Sequence, residues 1–292
     1  MGIKVYLNGK LVDKDEAKIS VFDHGFLYGD GVFEGIRSYN CLIFQLRKHI
    51  DRLYNSAAGI ELTIPLSKEE IEEAIINTLK ANGLKDAYIR LVVTRGIGDL
   101  GLDPQKCKEP SIIIITDKIS LYPHEFYNNG LKIIVARTRR NSVEALPPIV
   151  KSLNYLNNIL AKIEAIKSGV QEALMLNPEG YVCECTGDNI FIIKDGRLVT
   201  PSLDVGVLEG ITQDAVIEIA HRKNVEVEKK KMKLDELFDA DECFLTGTAA
   251  EVIPVTQINS HVIGNGKPGK MTKEFIDEFR ELTRIKGVRY AL

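Results

Sequence analysis

Residues 147–158 read Pro-Pro-Ile-Val-Lys-Ser-Leu-Asn-Tyr-Leu-Asn-Asn, and the fold that we predict is built around this segment. The prolines end any element before them, and the apolar periodicity of residues 153–168 predicts a helix that is capped by Gly169. Lys151 is therefore predicted at a rigid, half-buried junction at the mouth of that helix. Burial of an ammonium group is costly unless the lysine pKa falls or the amine forms a bond. A neutral amine at this position can attack an aldehyde, although a lone lysine at a helix start is more often a surface charge.

The composition is that of a soluble globular protein. The chain has 292 residues, 45% of them hydrophobic and 27% charged, which is enough for two modest domains with ample core. The net charge of -3 and a single basic run, Lys229–Lys231, argue against a nucleic-acid partner. No apolar run approaches the ~20 residues that span a bilayer, so no membrane partner is expected.

The cysteines and the first residues bear on the compartment. Five cysteines form an odd and scattered set, which does not suggest a disulfide framework and favours a reducing cytoplasm. Residues 1–6 enter a predicted strand directly and show no secretory pattern. Cys183 and Cys185 flank Glu184, but no second Cys or His pair accompanies them, so no metal site is predicted.

Local patterns predict an N-terminal α/β region at residues 1–120. Asn8–Gly9 is a type I′ hairpin signal, and Ser67 to Glu70 reads as a capping box. The apolar residues of segment 46–58 recur at helical spacing. The predicted elements are strands at residues 5–7, 11–12, 87–94 and 112–116 and helices at residues 46–58 and 71–79.

A linker is predicted at residues 121–130, within an aperiodic stretch that begins at Asp117, and a larger C-terminal domain at residues 131–292. Short apolar segments separated by glycine-containing turns predict strands there, and two longer periodic segments predict helices. The strands are expected at residues 131–136, 173–176, 181–185, 190–193, 198–199 and 242–245, and the helices, besides the one after Lys151, at residues 212–222 and 272–285.

The glycine-rich stretch 22–37 has two interpretations. Four glycines lie there among aromatic, acidic and arginine residues, which suits a backbone that approaches a ligand closely. A glycine-kinked strand pair in a core would explain the same pattern equally well. In the predicted strand 87–94, Tyr88 and Arg90 share one face, so the two side chains could reach one ligand.

Three further features accompany Lys151. Glu184 ends a predicted strand, where a buried carboxylate would need a cationic partner such as a protonated ring nitrogen. The helix that opens at Gly210–Thr212 and the small-residue turn Thr246–Thr248 both offer backbone N–H groups to a phosphate. Arg52 could add a charge-assisted bond to that cradle. A lysine, a ring-nitrogen carboxylate and a phosphate cradle are the contacts that pyridoxal 5′-phosphate requires.

The chain resembles the class IV aminotransferases, whose signature is matched by Glu184-x-Thr186-x-x-Asn189-Ile190-Phe191, by Leu198-x-Thr200 and by Leu208-x-Gly210-Ile211. The one departure is Gln213, where the signature has Lys or Arg, and it affects a peripheral charge contact rather than the cofactor. Within the class, the chain is similar to branched-chain amino acid aminotransferases nearly end to end, most clearly in segments 32–37, 87–90, 95–101 and 247–251. The tetrad Lys151–Asn154 also occurs in D-amino acid aminotransferases.

The resemblance implies an α/β (α+β) protein of fold type IV, with a small N-terminal α/β domain and a larger C-terminal pseudo-barrel domain. It implies transamination of leucine, isoleucine and valine with 2-oxoglutarate by a ping-pong mechanism that uses pyridoxal 5′-phosphate. Lys151 would be the catalytic Schiff-base lysine and proton shuttle, and Glu184 would pair with the pyridine nitrogen. The other implied cofactor contacts are Tyr155 at the ring hydroxyl and Arg52, Ile211, Thr212 and Thr248 at the phosphate.

The resemblance also implies a substrate site. Tyr88 would hold the substrate α-carboxylate together with the backbone amides of Thr248 and Ala249. The residues that resemble pocket walls are Phe33, Gly35 and Tyr122. Tyr28 and Leu102 resemble residues that the neighbouring subunit supplies, which implies at least a homodimer. Because one pocket must accept both leucine and glutamate, Arg90 and the Tyr28 hydroxyl are candidate donors to the distal carboxylate of glutamate.

Three alternatives remain at this point. A D-amino acid aminotransferase would share Lys151 and Glu184 but would need a different carboxylate trap, and the Tyr88–Arg90 pair argues against it. A 4-amino-4-deoxychorismate lyase has the same fold, and the glycine-rich loop at residues 95–101 favours the transaminase instead. A binding protein without catalysis would not need Lys151, Glu184 and Arg52 together.

Overall fold

The structure is a computed structural model that describes residues 2–118 and 122–292. The helices are α1 (His24–Tyr28), α2 (Leu46–Ala58), α3 (Lys68–Ala81), α4 (His124–Asn129), α5 (Leu156–Lys167), α6 (Ile211–Arg222), α7 (Leu234–Phe238) and α8 (Lys270–Ile285). The strands are β1 (Lys4–Leu7), β2 (Lys10–Asp13), β3 (Gly31–Tyr39), β4 (Leu42–Phe44), β5 (Ala87–Thr94), β6 (Ser111–Asp117), β7 (Leu131–Val135), β8 (Glu172–Leu176), β9 (Val182–Cys185), β10 (Asn189–Lys194), β11 (Arg197–Pro201), β12 (Val227–Lys230), β13 (Glu242–Gly247), β14 (Glu251–Ile258), β15 (His261–Val262) and β16 (Gly287–Arg289).

The chain divides into two compact units that are not continuous in sequence. Unit 1 comprises Met1–Ile119, Val150–Asn154 and Thr283–Leu292, and unit 2 comprises Ser120–Ile149 and Tyr155–Leu282. Two stretches that the sequence placed in the C-terminal domain thus belong to unit 1. Hydrogen bonds explain both: the segment 150–154 pairs along β3, and β16 pairs with β4.

The predicted linker, residues 121–130, is not aperiodic throughout. Residues 124–129 form α4, and residue 121 lies outside the described residues. The helix is short and ends at Gly130, which has a φ of 83°. A helix of six residues contains too few turns to produce a recognisable apolar period, so the sequence pattern did not reveal it.

Unit 1 is a seven-stranded antiparallel sheet in the order β16-β4-β3-β5-β6-β1-β2, with α2 and α3 packed on it. The predicted apolar stripe of α2 is confirmed, since Leu46, Ile50, Leu53 and Ala57 are all buried. The capping box of α3 is also confirmed: Ser67 accepts from the backbone N–H of Glu70, and the Glu70 carboxylate accepts from the N–H of Ser67. Local sequence signals therefore predicted this unit well.

Unit 2 is built on a mixed sheet in the order β12-β11-β10-β13-β14-β7-β8-β9, with β15 paired to β14. The β11–β12, β14–β7 and β7–β8 pairs are parallel and the others antiparallel. Strand β9, at one end of this order, also packs beside β10, so the sheet curls back on itself. Stacked rings of Phe191 and Phe244, 5.1 Å apart, lie in its core.

Within residues 2–118 and 122–292, no helix is long and apolar enough to cross a membrane. The same residues contain no group of three or more His, Cys, Asp or Glu side chains that could hold a metal ion.

Candidate active site

Lys151 lies in an extended segment of unit 1 and not at the mouth of a helix. The prediction of a helix from residue 153 was wrong, because α5 begins only at Leu156. Residues 151–153 instead follow β3: the N–H of Phe33 donates to the carbonyl of Lys151 at 3.0 Å, and Leu153 donates to Gly31 at 2.9 Å. This pairing with a distant strand holds the backbone of Lys151 rigidly.

The amine of Lys151 lies over an aromatic ring. Its Nζ is 4.7 Å from the centroid of the Phe33 ring, and the side chain is half-buried. The guanidinium of Arg90 also lies close to this ring, 4.5 Å from the Phe33 centroid, and is 5.5 Å from the centroid of the Tyr88 ring. The predicted shared face of Tyr88 and Arg90 is therefore confirmed, and Phe33 contacts both cations. Gly35 fits closely there, since a Cβ on it would lie 2.2 Å from the Tyr88 hydroxyl oxygen.

Arg52, the predicted phosphate ligand, is paired with a carboxylate that the sequence did not reveal. Its Nε and Nη2 donate to the two oxygens of Glu34 at 2.7 and 2.9 Å, and Nδ1 of His49 lies 2.7 Å from Oε2 of Glu34. Glu34 and His49 are almost fully buried. Strand alternation was the sequence signal that could have revealed this pair. Glu34 lies between Phe33 and Gly35 on β3, so its side chain points to the opposite face of the sheet, where α2 packs.

The three groups shift one another's protonation. Burial raises the pKa of Glu34, but the adjacent Arg52 and His49 outweigh burial and lower this pKa to about 2. Burial lowers the pKa of His49 and prevails over the opposing effect of Glu34. Glu34 is therefore an ionised carboxylate at neutral pH, and its charge compensates that of Arg52.

Tyr28 is the last residue of α1 and contacts the glycine-rich loop at residues 95–101, and Leu102 directly follows that loop. The Tyr28 hydroxyl donates to the carbonyl of Leu100 at 2.6 Å, and Leu102 is 79% exposed. Arg95 fixes the start of the loop through two bonds to Asp30, at 2.9 and 3.0 Å, and further bonds to the backbone. The start of the loop is thus held in place by Arg95, and the apolar side chain of Leu102 at its end is exposed.

In unit 2, Glu184 is buried, accepts three hydrogen bonds and forms an ion pair with Arg140. Nε of Arg140 donates to Oε1 at 3.1 Å, while Nδ2 of Asn189 and the N–H of Leu208 donate to Oε2 at 3.2 and 2.9 Å. Nη2 of Arg140 lies 2.8 Å from Oε1. The sequence predicted a cationic partner for Glu184 but did not identify Arg140, which is 44 residues away. No periodicity marks such a distant pair.

Asn189 connects this carboxylate to the predicted phosphate cradle. Its Nδ2 also donates to the carbonyl of Leu208 at 2.9 Å, and it pairs with Thr246 across the β10–β13 ladder. A Cβ on Gly210 would lie 1.9 Å from Oδ1 of Asn189, so only glycine fits there. Glu184, the start of α6 and the end of β13 thus form one connected site.

The cradle itself fits an anion. Ile211 and Thr212 are the first residues of α6, so their N–H groups have no acceptor within the helix and lie at its positive end. Oγ1 of Thr246 is buried and has no hydrogen-bond partner among the described residues. Thr248 and Ala249 are half-buried and lie in the turn that begins two residues after Thr246. A phosphate would provide the acceptors that this region lacks.

Gln213, the one departure from the family signature, is buried rather than peripheral. Its Oε1 accepts from the N–H of Gly210 at 3.4 Å, and its Nε2 donates to Oγ1 of Thr200 at 3.1 Å. The amide therefore closes the first turn of α6 and ties it to β11. A charged side chain would lack this pairing in a site that is 2% exposed.

The remaining predicted residues of unit 2 are Tyr155 and Tyr122. Tyr155 is the N-cap residue of α5 and is half-buried. Tyr122 is buried against Phe126, with ring centroids 6.4 Å apart, and burial raises the pKa of its hydroxyl. Its hydroxyl therefore stays protonated at neutral pH.

Comparisons with known proteins agree with this geometry. The model of the family Amino-transferase class IV matches residues 31–258. A Methanocaldococcus jannaschii protein with the provisional name branched-chain-amino-acid aminotransferase is 50% identical over 287 residues, which cover 98% of this chain and 99% of the relative. The structure of the Escherichia coli branched-chain amino acid aminotransferase is similar, with 33% identity and a TM-score of 0.94, and the match covers 97% of this chain and 95% of the other. So is that of the Thermobaculum terrenum enzyme of the same name in its PLP form, with 32% identity, a TM-score of 0.88 and coverage of 97% and 94%.

These similarities confirm the predicted α/β class and fold type IV architecture. They cover both units, since the matched residues include Glu34, Lys151, Glu184 and the cradle. The chain belongs to the class IV aminotransferase family.

Proposed function

We propose that this protein transfers the amino group of branched-chain L-amino acids to 2-oxoglutarate, with pyridoxal 5′-phosphate as cofactor. The observation that carries the proposal is the position of two side-chain nitrogen groups next to the ring of Phe33. The amine of Lys151 and the guanidinium of Arg90 both lie close to this apolar ring, at 4.7 and 4.5 Å from its centroid. An apolar wall with one cation suits a pocket that accepts leucine in one half-reaction and glutamate in the other.

Arg90 is suited to an anionic substrate because its contacts are aromatic. Among the described residues no carboxylate pairs with it, whereas Glu34 pairs with Arg52 and Glu184 pairs with Arg140. A guanidinium over aromatic faces keeps N–H donors in its plane for a carboxylate. The distal carboxylate of glutamate is such a group.

When bound, the cofactor would supply an electrophilic aldehyde and an electron sink. Lys151 would hold the cofactor at its aldehyde through Nζ, and the amine of Lys151 would move the proton at the substrate α-carbon. Ile211, Thr212 and Thr248 would hold the phosphate, with Arg52 as an additional cation. Glu184 would face the ring nitrogen and Tyr155 the ring hydroxyl. Tyr88 and the amides of Thr248 and Ala249 would orient the α-carboxylate, and Phe33, Gly35 and Tyr122 would shape the pocket.

We further infer that the chain acts at least as a homodimer. The exposed side of α5 is apolar along its length, a pattern that is uncommon on a helix that faces only water. Its exposed residues are Leu156, Ile159, Leu160, Ile163 and Ile166. In such an assembly Tyr28 and Leu102 would serve the pocket of the neighbouring subunit. Light scattering of the purified protein tests this: a monomer at micromolar concentration would contradict it.

We place the protein in the cytoplasm, on the basis of its five free cysteines, three of which are buried. Burial raises the pKa of Cys183, Cys185 and Cys243, so these thiols stay protonated and unreactive.

The test of the proposed activity is direct. Purified protein with L-leucine and 2-oxoglutarate should form L-glutamate, whereas D-alanine in place of leucine should give no product. Borohydride reduction followed by peptide mapping should find the cofactor on Lys151, and Lys151→Ala should lose the yellow absorbance. A cofactor label on another lysine, or activity with D-alanine alone, would contradict the proposal.

A further inference from the structure

Arg140 is a buried cation to which the sequence assigned no role. Its side chain is 7% exposed, and it precedes Asn141 in the connection between β7 and α5. A guanidinium is removed from water at a high cost unless its donors are satisfied. Its side chain donates to Glu184 and to the first turn of α5. Both are regions that carry a proposed contact to the cofactor ring.

On one side, Arg140 sets the orientation of the Glu184 carboxylate. Its Nε donates to Oε1 and its Nη2 lies 2.8 Å from the same oxygen, while Asn189 and Leu208 donate to Oε2. Three hydrogen bonds and an ion pair, distributed over both oxygens, fix the plane of the carboxylate and restrict rotation about the last side-chain bond. A ring N–H would then have to share one of these oxygens, which demands an accurately placed carboxylate.

On the other side, Arg140 holds the start of α5. Its Nη1 donates to Oδ1 of Asn158 at 2.9 Å and lies 3.5 Å from Oδ1 of Asn157. Asn158 in turn donates to the carbonyl of Thr186, two residues after Glu184, at 2.9 Å. Tyr155, the N-cap of α5, immediately precedes this turn. The guanidinium of Arg140 therefore connects two regions. One is Glu184, which we propose contacts the ring nitrogen, and the other is the first turn of α5, which follows Tyr155, the proposed contact of the ring hydroxyl.

We propose that Arg140 is a positioning residue that sets Glu184 for its contact with the pyridine nitrogen. It acts through Glu184 and the first turn of α5, and it does not touch the cofactor or the substrate. This inference rests on the proposed function, because it requires that pyridoxal 5′-phosphate binds. It predicts that loss of Arg140 weakens the interaction with the ring nitrogen and leaves the phosphate contacts in place.

The experiment compares two ligands on the cofactor-free protein. One is pyridoxal 5′-phosphate and the other is its 1-deaza analogue, in which carbon replaces the ring nitrogen. The ratio of their dissociation constants, measured by fluorescence quenching, isolates the ring-nitrogen contact. For the wild type we expect a preference of about ten- to a hundredfold for the natural cofactor, the value of one charge-assisted hydrogen bond.

Arg140→Met should reduce this preference to within about threefold of unity, since Glu184 is no longer oriented. Affinity for the deaza analogue should change little. The matched control is Arg139→Met, which removes the adjacent, exposed arginine and should keep the wild-type ratio. A purely structural role of Arg140 would instead weaken both ligands equally.

A wild-type protein that binds neither ligand would contradict the proposed function itself. Equal affinities in the wild type would refute both the contact of Glu184 with the ring nitrogen and the role of Arg140. An unchanged ratio in Arg140→Met, or an equal loss for both ligands, would overturn only the role of Arg140. If Arg140→Met does not fold, Arg140→Lys decides the question. The lysine side chain keeps the charge but cannot reach Glu184 and Asn158 together, so the preference for pyridoxal 5′-phosphate over the deaza analogue should still fall about tenfold. An unchanged preference would refute the inference.

Discussion

The two units each contain a buried pair of one glutamate and one arginine, and the pairs differ in which member the family resemblance singled out. In unit 1 the resemblance assigned a role to Arg52 and none to Glu34; in unit 2 it assigned a role to Glu184 and none to Arg140. In both pairs the residue without an assigned role compensates the charge of its partner away from water. A residue proposed to bind a ligand thus depends on a partner that no ligand need touch.

The comparison predicts different consequences for the two glutamates. Glu184→Gln removes the charge proposed to face the cofactor ring, so we expect cofactor to remain bound while the half-reaction with L-leucine slows by about a hundredfold or more, roughly 2.7 kcal/mol of activation free energy. Stopped-flow absorbance of the cofactor measures this rate. A rate equal to that of the wild type would mean that Glu184 serves structure alone, as Glu34 does.

Glu34→Gln should act first on stability. The substitution leaves the guanidinium of Arg52 without its anion in a site where its side chain is 12% exposed, and breaking such a buried pair lowers the free energy of unfolding by about 3 kcal/mol. Urea denaturation at pH 7 measures the loss. The matched control is Glu72→Gln, which breaks a pair with Arg47, 81% exposed, and should change the transition little.

Acid should weaken the fold in two stages. Glu34 and His49 both have folded-state pKa values below their ordinary ones, so the unfolded chain binds protons more readily than the folded chain as the pH falls. The contribution of neutral His49 to the free energy of unfolding is complete above pH ~6.5 and declines as the pH falls below that value. That of Glu34 is lost between its ordinary pKa of 4.5 and about 2 and is on the order of 3 kcal/mol.

Urea denaturation at pH 7, 5 and 3 tests this pH dependence. The wild type should lose stability at each step, and Glu34→Gln should show a smaller loss between pH 5 and 3. Parallel curves for the two proteins would show that Glu34 is not the group that titrates.

Arg90 extends the comparison to an arginine with aromatic rather than carboxylate contacts. Arg90→Met should cost about 1.5–3 kcal/mol with L-glutamate, or ten- to a hundredfold in rate, because a charge-assisted bond to the distal carboxylate is lost. The leucine half-reaction should change little. Single-turnover conversion of the cofactor with each amino acid separates the cases, and equal losses for both would assign Arg90 a structural role.

The elements that the sequence predicted well are those specified by neighbouring residues. The α2 stripe, the Ser67–Glu70 box and the Asn8–Gly9 turn, with φ values of 47° and 88°, all depend on residues within one or two turns of each other. The predicted helix after Lys151 exists as α5, but its predicted start at residue 153 was wrong, because residues 151–153 pair with β3, a strand near the start of the chain. A local apolar period cannot report such a distant partner.

The same reasoning explains the missed partners in the site. Arg140 lies 44 residues before Glu184, and His49 lies 15 residues after Glu34 on a different element. Neither spacing is a helical or strand period, so only the folded chain reveals these pairs. Gln213 shows the converse: a departure from the signature that the sequence suggested was peripheral is a buried hydrogen-bonded amide.

The pairing of segment 150–154 with β3, and of β16 with β4, has a consequence for folding during synthesis. A ribosome releases β3 and β4 long before the residues that complete their sheet, so unit 1 is exposed along that edge while most of unit 2 is being made. The sequence separation also raises the contact order of the smaller unit, which slows its folding. The backbone that carries Lys151 can pair with β3 once residues 151–153 have been made, whereas the β4 edge stays open until β16 follows the last residues of unit 2.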